Sequence, residues 1–427
     1  MADEPLIVRR NIDIAAEPSG VWDIIVSPVL WPKWMMVAPA LKAGTAAAAA
    51  AMFLATSVVA QAETLKIGFL TTLSGPLAVL GQHSRDGFLL AVKQRGGKLG
   101  GVDAEVIVED DSVKPDVALL RTQQFIERDK VDFVVGMLTS NVLQAAFQPV
   151  TESRTLLIGV NAGTSMFAGE KCNPFFFSTS WVNNQVPEAI GKYAQNSGYR
   201  RIVTLVPNYQ GGRDATAGFK HHFKGEVLDE IYVKQNQLDF AAELTRIRAL
   251  KPDAVLVFMP GGTGVSLARQ YAQSGLAGSI PFLSVWTLDE TTLPAIQDAA
   301  VGLYGSSHWA PDLDNAVNAA FVKAFEAEYG YVPSNFAAQA YDAGLLIDSA
   351  VAATGAKVSD KDALRKALRA ADFASTRGRF RYNTNQFPIQ DFYLVQAIRR
   401  GDGKYVTSAK QKIFADYADR QAQKCPM

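Results

Sequence analysis

KIGFLTTLSGPLAVLGQHSRDGFLLAV, residues 66–92, decides how the rest of the chain is read. KIGFL is a short β-rich apolar run, and HSRDGFLLAVKQR (83–95) carries apolar residues at helical spacing. A loop holding Gly75 and Gly81 joins them. A strand entering a helix through a glycine-bearing turn is the unit of parallel α/β sheets, and the helix N-terminus at such a turn attracts anions. The same alternation continues outward. AEVIVED (104–110), VDFVVG (131–136) and LLIGV (156–160) read as strands, with PDVALLRTQQFIER (115–128) and NVLQAAFQPVTES (141–153) as helices between them. Near-continuous apolar strands separated by helices predict a parallel sheet covered on both faces.

After FFFSTSWVNN (175–184) the rhythm restarts with RIVTLVP (201–207), VLDEIYV (227–233), DAVLVF (253–258) and IPFLSV (280–285). Two successive β-α runs predict two doubly wound lobes rather than one very wide sheet. Three consecutive helices follow, within 313–330, 336–353 and 359–371, and then hairpin-like strands GRFRYN (378–383), FYLVQAIRR (392–400) and KYVTSA (404–409). Helices without a sheet of their own must pack on a lobe already built, so the chain is expected to return to the first lobe. The late strands should then extend the second. The expectation is an α/β protein of two lobes with parallel central sheets and three hinge crossings, near 180–184, 306–312 and 374–380. Lobe 1 takes 63–182 and 311–376, and lobe 2 takes 183–310 and 377–427.

Ahead of this region, Lys42 precedes the apolar run TAAAAAAMFLATSVV (45–59) and the small-x-small site Ala60-Gln61-Ala62. That order is a secretory signal peptide, placed at 35–62 and cleaved after Ala62. Residues 1–34 fit it poorly. LIVRRNIDIAAEPSGVWDIIVSPVLWPKW resembles the opening of a START/polyketide-cyclase domain, but so short a fragment buries no core. It is read as a leader or a mis-set gene start, with translation able to begin at Met35 or Met36. No cysteine stands immediately after the cleavage site, where Glu63 follows, so the product is expected to be soluble in the periplasm without a lipid anchor. The two cysteines, Cys172 and Cys425, would meet an oxidising compartment, where a disulfide tying the C-terminal tail to the body is expected. Two unpaired thiols, or an intermolecular contact, remain the alternatives.

Lys+Arg and Asp+Glu both number 42, so no charge bias points to nucleic acid or an anionic membrane. Neither a metal nor a catalytic set emerges. Of the histidines, His83 and His308 stand alone, and the adjacent His221 and His222 would face different directions on a helix. Asp110-Asp111 read as capping or loop residues. The opening loop lacks both the Gly-x-Gly-x-x-Gly spacing and a Walker lysine, so no nucleotide cofactor is expected. It offers Ser74 and a helix N-terminus instead. The third strand ends in GMLTSN (136–141) with Thr139 and Ser140, and the fourth in NAGTS (161–165). Three hydroxyl-bearing strand ends at one sheet edge would cradle an anion such as a single carboxylate without any arginine.

LKIGFLTTLSGPLAVLG, VIVEDDSVKPDVAL, VDFVVGMLTSN, LLIGVNAGTS, RIVTLVPNYQGGRD, KPDAVLVFMPGG and FAAQAYDAG occur in that order between Leu65 and about Asn385. As an ordered set they resemble the periplasmic solute-binding proteins of ABC transporters, of the branched-chain amino acid (leucine/isoleucine/valine-binding) type. The resemblance implies a type I two-lobed fold, a monomer that is not an enzyme, and ligand delivery to a membrane permease. It also implies a pocket. Ser140 matches the hydroxyl on the ligand carboxylate, Ala162 and Thr164 the next loop's backbone and hydroxyl, and Tyr209 the tyrosine closing from the second lobe. Leu80 stands at a specificity position, Phe336 at a wall aromatic, and Ser74 on the rim. The family's ammonium-pairing Glu is absent: FLSVWTLDE places Trp286 there, with Asp289 or Glu290 as the substitutes further on. A buried ammonium without a counter-charge is costly, whereas an indole offers stacking area. The ligand is therefore expected to be an aromatic acid, of benzoate or phenylpropanoid type, as in the branch importing lignin-derived aromatics. The alternatives are an amino acid ligand, a sensing domain of the same fold, a dehydrogenase on a Rossmann-like sheet, and a Trp286 that only packs at the hinge.

Overall fold

A computed structural model describes residues 64–427, so the expected leader and signal peptide lie outside the described residues. The first sheet has six strands in the order β2-β3-β1-β4-β5-β6. These are β1 (Leu65–Thr71), β2 (Lys98–Leu99), β3 (Val102–Asp110), β4 (Phe133–Gly136), β5 (Leu156–Gly159) and β6 (Phe176–Ser178). All pairings are parallel except the tight β2–β3 hairpin. The second sheet orders its strands β12-β13-β11-β10-β9-β7-β8, with β14 beside β13. It comprises β7 (Arg201–Pro207), β8 (Glu226–Val233), β9 (Ala254–Val257), β10 (Phe282–Val285), β11 (Tyr304–Ser307), β12 (Arg381–Tyr382), β13 (Pro388–Arg399) and β14 (Tyr405–Tyr417). β7 to β11 run parallel, and β12 to β14 add antiparallel edges.

Twelve α-helices flank these sheets among the described residues: α1 (Ala78–Gln94), α2 (Pro115–Gln124), α3 (Ser140–Glu152), α4 (Ser165–Ala168), α5 (Gln185–Asn196), α6 (Gln210–His222), α7 (Ala241–Leu250), α8 (Gly261–Gln273), α9 (Leu293–Ile296), α10 (Ala316–Tyr329), α11 (Asn335–Ala353) and α12 (Lys361–Ala370). Local signals fix several ends. Pro115 opens α2 at a position that needs no amide donor, and the Asn315 and Asp360 side chains cap α10 and α12. The late helix α11 lies against α1 of the first lobe. Their backbones meet so closely that a Cβ on Gly87 would collide with the Ala337 carbonyl. Phe69 and Phe88 fill the layer between this helix pair and the sheet, each contributing about 2–3 kcal/mol by burial. The chain thus leaves the first sheet after β6, returns after β11 to build α10 to α12, and leaves again before β12.

Strand β11, YGSS, lacks an apolar alternation and gives no strand signal in the sequence. Gly305 is small because Ser284 of β10 lies against it, where a Cβ would come 2.8 Å from the Ser284 carbonyl oxygen. β14 extends to Tyr417, well past KYVTSA, because β13 offers it a partner for most of its length through register shifts. The tail beyond β14 crosses to the first lobe. Asp419 accepts from Asn383 and Asn385, Asn385 Nδ2 donates to the Ala168 carbonyl (2.6 Å), and Cys425 is bonded to Cys172. This disulfide, with a sequence separation of 253, is the bridge expected from the sequence.

Closing so long a loop removes much denatured-state entropy. Replacing Cys172 and Cys425 with Ser should cost about 2–4 kcal/mol. The check is denaturant unfolding of both forms at matched pH, where coincident midpoints would refute it.

Candidate functional site

The C-terminal ends of β1, β4, β5, β7 and β9 run into the loops bordering a cleft between the two lobes, the edge at which parallel α/β sheets place ligands. A cavity of about 410 Å3, including its open mouth, lies there. Six of the eight ligand residues expected from the sequence line it: Leu80, Ser140, Ala162, Tyr209, Trp286 and Phe336. Ser74 and Thr164 do not. The Ser74 hydroxyl is exposed and donates to Ser112 Oγ (3.1 Å), drawn outward by the turn that Asp110 organises. Thr164 is fully buried at the start of α4, beyond a clasp in which Gly163 and Asn183 exchange hydrogen bonds. The Ala162 amide is already taken, donating to the Met137 carbonyl (3.1 Å).

Further lining residues were not singled out from the sequence. Trp181 and Asn183 belong to the first crossing, whose WVNN reads as a hinge but also as an aromatic beside two amides. Phe258, Leu138, Asn161 and Leu77 complete the walls. The rings form one connected set. Trp181 stacks on Trp286 at 5.0 Å and 25°, Phe258 meets Trp286 edge-on at 4.9 Å, and Tyr209 lies 6.1 Å from Phe258. Trp286 therefore both packs at the hinge and faces the cavity. Its φ of 50°, like the 65° of Met137 after β4, is a left-handed backbone that bulky residues seldom keep.

Polar groups converge at one end. Ser140 Oγ accepts from Asn183 Nδ2 (3.0 Å), leaving its own proton free to donate outward, and Asn183 is steadied by Asp214 (3.1 Å). Thr139 Oγ1 is buried without a partner. Three helices present their N-termini here: α3 through Thr139 and Ser140, α6 through Tyr209 and Gly211, and α8 through Pro260. Their dipoles favour an anion. Burial raises the Tyr209 phenol well above its ordinary value, so it remains a neutral donor. No Asp, Glu, Lys, Arg or His is among the lining residues. Across the mouth, Gly261 (φ 64°) sits against the first lobe, where a Cβ would come 2.6 Å from the Pro76 carbonyl oxygen.

Asp289 and Glu290 line a separate cavity behind Trp286. Asp289 accepts from the Thr291 amide and hydroxyl, and Glu290 from those of Thr407 (2.8 and 2.7 Å). Burial pushes Asp289 up to about 6 and Glu290 up to about 7, the latter helped by the neighbouring Asp289 charge.

The sequence profile described as periplasmic binding protein matches residues 64–404. The Leu/Ile/Val-binding protein homolog 6 of Brucella melitensis is 26% identical over 370 residues, spanning 84% of this chain and 93% of the relative. An ABC transporter solute-binding protein of R. palustris, crystallised with benzoate, shares 34% identity and a TM-score of 0.80 over 86% of this chain and all of its own. Another, from Rhodopseudomonas palustris BisB5 with 3,4-dihydroxybenzoic acid, shares 31% identity and a TM-score of 0.76 over 83% of this chain and 98% of its own. The chain belongs to the periplasmic binding protein family: it is an ABC-type substrate-binding protein of the Leu/Ile/Val group, a non-enzymatic transport component with the type I fold.

The raised carboxyls give a pH signature. The folded protein binds their protons more tightly than the unfolded chain does, so their contribution lowers stability as pH rises from about 4 through 7. Glu290→Gln keeps an acceptor for Thr407 and removes one of the two charges. Its melting temperature should fall less between pH 5 and pH 8 than that of the wild type. At pH 8 the variant should be the more stable by roughly 1–3 kcal/mol. Parallel pH profiles would contradict this.

Proposed function

We propose that this family member captures a small aromatic carboxylate, of benzoate or phenylpropanoid type, in the cleft between its lobes and delivers it to an ABC permease in the inner membrane. One observation carries the reading: the cavity joins three helix N-termini and a set of aromatic rings, with no charged side chain among its lining residues. The carboxylate is held at Ser140, whose hydroxyl donates to it while Asn183 keeps that hydroxyl oriented. Thr139 supplies a second hydroxyl. The ring lies among Trp286, Phe258 and Phe336, which exclude water from the anion and strengthen its hydrogen bonds.

An α-amino acid, the ligand named for the Brucella relative, fits less well. Its ammonium would enter a cavity without an acidic lining residue, while Asp289 and Glu290 lie beyond Trp286. The benzoate and dihydroxybenzoate of the two R. palustris neighbours accord with the aromatic choice. Binding proceeds by hinge closure: the first lobe takes the carboxylate and the second brings Tyr209 and Trp286 over the ring. Export through the signal peptide at 35–62 places a soluble, monomeric carrier in the periplasm. Ser74 would contribute only to the rim, and Thr164 to the packing beneath the loop.

A thermal-shift and calorimetric screen of benzoates, cinnamates and aliphatic amino acids tests this. Stabilisation by at least one aromatic acid is expected, and a response to leucine alone would refute the reading. Ser140→Ala should weaken that acid at least tenfold, about 1.4 kcal/mol or more, with the ligand-free melting temperature nearly unchanged. An unaltered Kd would move the carboxylate site elsewhere.

A further inference from the structure

Asp214 lies in the second turn of α6, a helix of the second sheet, yet its side chain is turned toward groups that follow the strands of the first. It is only 4% exposed. Four donors meet its two oxygens: Gln210 Nε2 (2.9 Å) and Ser165 Oγ (2.8 Å) at Oδ1, the Ser165 amide (3.2 Å) and Asn183 Nδ2 (3.1 Å) at Oδ2. Gln210 alone among them belongs to its own helix. A buried carboxylate needs such partners, and each of these is neutral. Asp214 itself is not among the residues lining the cleft cavity.

Asn183 stands between this carboxylate and the cleft. Its Oδ1 accepts from the Gly163 amide (3.1 Å), and its two Nδ2 hydrogens go to Asp214 Oδ2 and to Ser140 Oγ (3.0 Å). Turned end for end, the amide would set its oxygen against the carboxylate and its NH2 against the Gly163 N–H. Asp214 and Gly163 therefore leave it one orientation. That orientation decides what Ser140 offers. A hydroxyl whose oxygen accepts from Asn183 keeps its own proton for another partner, and Ser140 lines the cavity. Facing an amide oxygen instead, Ser140 would spend that proton there and meet an anion with its lone pairs.

We propose that Asp214 is a positioning residue for ligand capture: by accepting from Asn183 it makes Ser140 a donor, and so gives the cleft its preference for a carboxylate. The inference rests on the reading of Ser140 as the donor to the ligand carboxylate, and not on the identity of the ring. What passes along the relay is the direction of hydrogen bonds rather than charge, so an acceptor at position 214 suffices. Asp214→Asn still provides one, because Gln210 and the Ser165 hydroxyl can each turn to accept from its NH2. Asp214→Ala provides none and releases Asn183 to turn.

Titration calorimetry with benzoate, cinnamate and leucine as probes tests it, on the wild type, Asp214→Ala, Asp214→Asn, Ser140→Ala and the Asp214→Ala/Ser140→Ala double variant. Asp214→Ala should weaken the bound probe at least fivefold, whereas Asp214→Asn should stay within threefold of the wild type. The double variant should bind within threefold of Ser140→Ala alone, because the effect of Asp214 runs through that hydroxyl. A merely structural role would instead add its full loss to that of Ser140→Ala. Such additivity overturns the relay, as does an Asp214→Ala without effect or an Asp214→Asn that loses as much as Asp214→Ala. Should Asp214→Ala not fold, Asn183→Ala cuts the relay at its middle, and the same cycle with Ser140→Ala is read with the same limits. If Ser140→Ala leaves binding unaltered, the placement of the carboxylate fails and the relay with it. A response to leucine alone refutes the aromatic ligand but leaves the relay to be read from leucine's own carboxylate. A wild type that binds none of the three overturns both.

Discussion

The buried ion pair between Arg377 and Asp342 holds together the segments through which the chain crosses between its two lobes. Their side chains are 4% and 0% exposed and approach to 3.0 Å. Arg377 comes from the third crossing and Asp342 from α11 of the first lobe. The same guanidinium donates to Gln390 Oε1 at the start of β13 (2.6 Å) and to the Ser180 carbonyl of the first crossing (3.4 Å). Gln390 Nε2 donates to that carbonyl as well (2.7 Å), while Ser375 and the Thr376 amide satisfy the Asp342 carboxylate. Removing one partner would strand a charge away from water at a cost of about 3–5 kcal/mol, so the set persists as a unit. The second crossing joins through His308, whose ring contacts Gln339 Nε2 at 3.2 Å and meets Trp181 edge-on at 4.9 Å. Burial, and then the Arg377 charge, keep that imidazole neutral.

From this knot the path to the cleft cavity is short. Trp181 touches His308 on one side and stacks on Trp286 on the other, so the crossings and the cavity walls share a side chain. A pivot that moved the lobes would change the Trp181–Trp286 contact directly. Strain is concentrated at the same edge, in the left-handed backbones of Met137 and Trp286 at the ends of β4 and β10. Both are tolerated because the flanking strands are pinned by parallel pairing on each side.

The proposed recognition of an anion without a cation would follow from the topology. In a doubly wound sheet each strand delivers its chain to a helix N-terminus at one edge, and two facing lobes bring several such ends together. Side-chain hydroxyls then complete what the backbone dipoles begin. An aromatic lining suits this scheme, because excluding water strengthens the dipoles' effect while a solvated arginine would compete for the anion.

The two-lobe α/β architecture, the return of α10 to α12 to the first lobe, and the disulfide were legible in the chain itself. Apolar strand runs, helical spacing and a single cysteine pair are local or arithmetic signals that few folds satisfy. Six cavity-lining residues were also legible, because Leu80, Ser140, Ala162, Tyr209, Trp286 and Phe336 sit in strand-end loops or at a helix start, where the topology leaves little choice. What only the tertiary structure decided was orientation and partnership. Whether Thr164 or Ala162 faces the cavity depends on the Gly163–Asn183 clasp, formed by residues twenty apart in sequence. That YGSS forms a strand depends on neighbours already in place, and that Trp286 divides two chemically different cavities depends on a backbone angle and a stack with Trp181. Sequence specifies which groups reach an edge; the packing of crossings far apart in the chain specifies which way each one points.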